Sequence, residues 1–116
     1  MIVTEEKTNG FSVLFVKEER IDAHNSAELK NYILHMIEQG KVNIIVQLEH
    51  VRFVDSSGLG ALLSGFKHAE AKSGRLALSN LQSQVLSMFE LTRLNRVFEI
   101  QTDLQDFFEI DCQEEK

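Results

Sequence analysis

Apolar positions along this chain switch between runs that suit strands and a spacing of three to four that suits helices. Residues 11–16, FSVLFV, are β-branched and aromatic and predict a strand. A shorter strand is expected at 2–5, with Asn9–Gly10 as the turn signal between the two. Leu29, Ile33, Met36 and Ile37 recur at helical spacing. Asn25 stands where that helix starts, with Glu28 three residues on as in a capping box, and Gly40 where it stops. Residues 42–48, VNIIVQL, are nearly continuously apolar, as in a central strand buried on both faces.

A short apolar stretch, 51–54, then runs into D-S-S-G-L-G at 55–60. Behind it Leu59, Leu62, Leu63, Phe66 and Ala69 share one helical face, and Gly74 closes that helix. Residues 75–79, RLALS, read as a strand. Asn80 is a candidate cap for a third helix carrying Leu81, Val85, Phe89 and Leu91. A last short strand is expected at 96–100. A final helix is expected from Thr102 or Asp103, with Leu104, Phe107 and Phe108. The order is β-β-α-β-α-β-α-β-α. It predicts an α/β domain with a mixed, mostly parallel sheet of four to five strands, covered by about four helices. The domain is expected over 1–110, with a polar acidic tail at 111–116 that includes Cys112.

Composition narrows the function classes. One domain is what 116 residues allow. No apolar run approaches the roughly 20 residues of a spanning helix, and no basic start followed by an apolar stretch marks a secretory signal, so a cytoplasmic protein is expected. The net charge of −6 and the lack of a basic stripe speak against nucleic acid. A single cysteine cannot form an internal disulfide or a metal cluster. Asp111, Glu114 and Glu115 beside it would raise its pKa rather than activate it. The four histidines, His24, His35, His50 and His68, form no HxH or HExxH pattern, so no metal is expected. His35, near the apolar face of its helix, is expected to be partly buried.

Chemistry concentrates in Phe53-Val54-Asp55-Ser56-Ser57-Gly58-Leu59-Gly60, at the junction of a strand and a helix. A helix start has unpaired N–H groups and a partial positive charge. A hydroxyl there can cap the helix, and the same groups would stabilise a phosphate. Asp55 can accept a hydrogen bond or shape the turn. Gly58 and Gly60 lack side chains, so a partner can approach closely. As four letters, Asp-Ser-Ser-Gly is ordinary turn-and-cap chemistry. A hydrolase built on Ser56 is not expected, because the G-x-S-x-G elbow is missing. Neither a Walker A sequence nor G-x-G-x-x-G is present, so no nucleotide cofactor is expected.

With I-D-A-H-N-S-A-E-L at 21–29 and F-V-D-S-S-G-L-G at 53–60, the chain resembles the anti-sigma factor antagonists, single-domain STAS proteins of bacterial partner-switching systems. The resemblance spans nearly the whole chain. It implies a binding protein rather than an enzyme, with Ser56 as phosphate acceptor and Ser57 as the cap. The unphosphorylated form would bind a serine kinase that doubles as an anti-sigma factor and has the ATP-binding fold of histidine kinases. Phosphorylation would end the complex, and a PP2C-type phosphatase would reverse it.

By family position Asp22 and Asn25 lie close to the phosphorylation loop. They join Asp55, Ser57, Gly58, Leu59 and Gly60 as expected partner-binding residues, with Ala61 a further candidate and His24 a possible contact. Antagonists often carry a glycine before the I/L-D pair. Here Glu19 and Arg20 stand there, a more charged loop that would tune partner choice. A monomer is expected when free. A regulator of a different output (biofilm, motility or secretion) and a scaffold module in a larger assembly are the alternative readings.

Overall fold

The computed structural model of the chain describes residues 1–107. The expected Phe108 and the acidic tail with Cys112 lie outside the described residues.

The hairpin forms as expected. β1 (Val3–Thr8) and β2 (Phe11–Val16) pair antiparallel, and Asn9 and Gly10 turn between them with φ of 52° and 84°. Both angles are positive, which is what a two-residue hairpin turn requires. β1 runs to Thr8, longer than expected, because its exposed charged positions Glu6 and Lys7 continue the ladder.

From β2 the chain makes a two-residue strand, β3 (Arg20–Ile21), and enters helix α1 (Ser26–Glu38). Leu29, Ile33, Met36 and Ile37 face inward from α1. His35 is exposed, against expectation, because it points away from that buried stripe. Gly40 leaves the helix at φ 89°. The central strand β4 (Asn43–Gln47) follows, then a second two-residue strand, β5 (Phe53–Val54), and the long helix α2 (Ser56–Ala71). β6 (Arg75–Ser79), α3 (Ser83–Leu91), a 3-10 turn at Leu94–Arg96 and β7 (Glu99–Gln101) complete the described chain, apart from a helical turn at 105–107.

The main sheet has the order β1-β2-β4-β6-β7, with β2, β4, β6 and β7 parallel and β1 antiparallel at one edge. Ile44, Val46, Leu76 and Leu78 join the large core cluster with Leu29, Ile33, Met36, Leu62 and Phe89 of the helices. The alternate residues Val13, Ile45 and Ala77 form a smaller cluster on the opposite face with Phe11 and Phe107. β4 is therefore buried on both faces, which explains its continuous apolar run.

Two further expected boundaries shift. Asn80 does not cap α3. It sits at φ 59°, and its side-chain oxygen accepts the Leu104 amide at 3.0 Å, while Gln82 occupies the N-cap position. The last strand starts at Glu99 rather than 96, because Leu94–Arg96 coil into the 3-10 turn that drops Phe98 into the core.

Candidate functional site

The two-stranded sheet of β3 and β5 decides where the chemistry gathers. Its register pairs Arg20 with Phe53 and Ile21 with Val54, and the Asp55 amide extends it by donating to the Ile21 carbonyl at 3.1 Å. Ile21 and Val54 point into the core, both fully buried. The loop after β3 and the loop after β5 therefore leave the sheet side by side. They lie far apart in sequence, and one strand pair of two residue pairs joins them.

The first loop is locked by its own side chains. The Asp22 amide donates to the Asn25 side-chain oxygen at 2.9 Å, and the Asn25 amide group donates to the Arg20 carbonyl at 2.8 Å. One Asp22 carboxylate oxygen accepts the His24 amide at 3.0 Å and the other accepts Arg20 Nε at 3.3 Å. Asn25 occupies the N-cap position of α1, as expected, but its side chain makes no cap bond, and the expected capping box with Glu28 does not form. The Asn25 side chain is already committed to the turn. Asp22 and Asn25 thus hold the loop that flanks the serine loop, and His24 is exposed on it.

In the second loop Asp55, not Ser57, caps α2. Its carboxylate accepts the Gly58 amide at 3.0 Å and the Ser57 hydroxyl at 2.6 Å. These bonds, the Ser57 hydroxyl first and the Gly58 amide second, hold the Asp55 carboxyl below its ordinary value. The Ser57 and Ala23 amides add to the effect. The carboxylate is charged and can only accept, whereas the hydroxyl can donate, so Asp55 takes the helix amide and Ser57 donates to the cap.

Ser56 is the first residue of α2 and is exposed, and its hydroxyl has no hydrogen-bond partner among the described residues. The seat for an anion at the helix start is taken by Asp55. A phosphate on Ser56 would meet that carboxylate rather than empty amides, and would project outward.

The two glycines differ. A Cβ on Gly58 would lie 2.7 Å from both the Ile21 carbonyl oxygen and Val54 Cγ1, so Gly58 exists to let β3 pack against the helix start. The space expected for a partner there is filled by the chain itself. A Cβ on Gly60 would meet nothing within 4 Å, and Gly60 is exposed. Leu59 is 7% exposed and belongs to the core cluster, and Ala61 is also buried. The outward side of the site is therefore Ser56, Gly60, Ala23 and His24, with Arg20 and Phe53 at its base. The pairing of Arg20 with Phe53 was not readable in the sequence beyond the charged loop at 19–20. Among the described residues no group of His, Cys, Asp and Glu is placed to hold a metal ion, and no helix is long and apolar enough to cross a membrane.

The chain matches the family model described as STAS domain over residues 3–107. It is 30% identical over 80 residues to the anti-sigma-B factor antagonist of Bacillus subtilis, covering 69% of this chain and 72% of that protein. Its fold is that of an anti-sigma factor antagonist from Mycobacterium paratuberculosis, at a TM-score of 0.82 and 21% identity over 94% of this chain and 92% of that one. It is also similar to the Bacillus cell fate determinant SpoIIAA in the phosphorylated form, with a TM-score of 0.70 and 25% identity over 94% and 99% of the two chains.

Proposed function

The chain belongs to the STAS domain family, with anti-sigma factor antagonists among its relatives, and from that premise we propose that it is a phosphorylation-controlled binding protein of a partner-switching pathway. In its unphosphorylated form it binds a serine kinase that also serves as an anti-sigma factor or a related switch protein. That kinase transfers phosphate to Ser56 and the complex ends. A PP2C-type phosphatase restores the binding form.

The observation that carries this reading is the division of labour at 55–57. Asp55 caps the helix with Ser57 as its donor, which leaves Ser56 exposed and uncommitted at the first helical position. Phosphorylation adds roughly −1.5 to −2 charges there. The fold loses nothing, because Ser56 holds no side-chain bond among the described residues. A partner surface closed over Ser56 would have to desolvate the phosphate, at a cost of several kcal/mol, which weakens a complex by orders of magnitude. Repulsion from Asp55 keeps the phosphate from folding back onto the helix start.

The test is phosphate mapping. The protein is mixed with a candidate partner serine kinase and ATP, and the modified residue is located by mass spectrometry. Phosphate on Ser56, absent from a Ser56→Ala variant, is the expected result. Stable modification elsewhere with Ser56 untouched would sink the reading.

A further inference from the structure

Arg20 and Phe53 are register partners on the solvent side of the two-stranded sheet that carries both loops of the site. The Arg20 guanidinium lies 4.5 Å from the centre of the Phe53 ring, and its Nε donates to Asp22 at 3.3 Å. One face of the guanidinium is covered by the ring and one edge is held by a carboxylate. The terminal Nη groups make no hydrogen bond among the described residues, and the side chain stays 61% exposed. Phe53 is 37% exposed, an uncommon level for a phenylalanine, three residues before Ser56.

We propose that Arg20, braced on Phe53, is a specificity-determining contact of the switch surface and receives a carboxylate of the partner kinase. The proposal rests on the function proposed above and adds the chemistry of the surface that must meet it. A guanidinium with free terminal donors recognises a carboxylate through two parallel N–H···O bonds. Bracing by Phe53 and Asp22 fixes those donors before binding, so less side-chain freedom is lost in the complex. Arginine and aromatic residues are the side chains that most often dominate an interface.

The sign of the switch points the same way. A cationic partner surface beside Ser56 would attract the phosphate and tighten the complex. A partner carboxylate seated on Arg20 is instead repelled by a phosphate on Ser56, three residues past Arg20's register partner Phe53, so the same contact that selects the partner also makes it leave.

Titration calorimetry with the kinase that modifies Ser56 tests this, in a Ser56→Ala background so that no phosphate is transferred. Arg20→Glu is expected to weaken binding about thirtyfold or more, Phe53→Ala about tenfold, and Arg20→Lys a few-fold. Thermal melts by circular dichroism check that each variant is folded. One acidic residue of the kinase, changed to arginine, is expected to restore binding to Arg20→Glu. Binding of Arg20→Glu and Arg20→Lys within about twofold of the parent overturns the proposal. Repeated with ATP in the chain that keeps Ser56, normal binding of the Arg20 variants combined with a phosphorylated form that no longer dissociates also overturns it, because Arg20 would then be a clasp for the phosphate. If the native chain neither binds the kinase nor accepts phosphate, the proposed function falls with the inference. If it does both and the Arg20 variants match it, the inference falls alone.

Discussion

The Ser57 hydroxyl donates to the Asp55 carboxylate at 2.6 Å, one residue past the exposed serine, and this bond is the largest single cause of the lowered Asp55 pKa. Its pH dependence follows. A carboxyl held below its ordinary value of 3.8 stabilises the fold above that pH and loses the effect as pH falls through its folded value. Ser57→Ala should lower the melting temperature by a few degrees at neutral pH. The gap to the native protein should close in acid, below about pH 4. Urea melts across a pH series measure it. A gap that stays constant into acid would assign the loss to packing instead.

The two glycines of the loop should respond to alanine with opposite signs. At Gly58 the added methyl meets a backbone carbonyl oxygen at 2.7 Å, which cannot swing aside as a side chain does. A loss of about 2–3 kcal/mol is expected. At Gly60 the methyl meets open space inside a helix, and a gain of about 0.5–1 kcal/mol is expected from the reduced freedom of the unfolded chain. Denaturant midpoints of the two variants, compared side by side, decide the matter.

Ser56→Asp should leave the fold alone and damage binding. The residue is exposed and its hydroxyl holds no bond among the described residues, so stability should stay within about 0.5 kcal/mol of native. Affinity for the kinase should fall by about a hundredfold or more, through an unpaired charge buried in the interface. Ser56→Ala should bind without release in the presence of ATP. Surface-based binding with melts on the same samples separates the two effects.

Ser79 sits fully buried in β6 between Gln47 and Gln101, and its hydroxyl lacks a partner among the described residues. An unsatisfied buried hydroxyl costs about 1–3 kcal/mol. Ser79→Ala should therefore raise stability, by about 1 kcal/mol after the small volume lost is counted. A loss of stability in urea melts would show that the hydroxyl is hydrogen-bonded in solution, most simply by a bound water.

Much of this protein is legible in its letters, because local chemistry has few solutions. Asn9–Gly10 can serve a two-residue hairpin, so the first two strands and their pairing follow. The apolar run at 42–48 marks a strand with a covered face on each side. The spacing of Leu29, Ile33, Met36 and Ile37 fixes a helix and its inner stripe. Asp-Ser-Ser-Gly marks a helix start, and with the I-D-A-H-N-S segment it identifies the family.

Tertiary structure decided what competes for each atom. The letters pointed to Ser57 as the cap of α2, and the fold assigned the cap to Asp55, whose carboxylate reaches the Gly58 amide while Ser57 reaches the carboxylate. They left Gly58 open to a partner, and the fold filled that space with Ile21. Strands of two residues carry no period, so the pairing of Arg20–Ile21 with Phe53–Val54 could only appear once the rest of the sheet had brought them together. That pairing sets Arg20 on Phe53 and brings the two loops beside Ser56, because contacts between segments far apart in sequence depend on where the chain returns and not on what it spells locally.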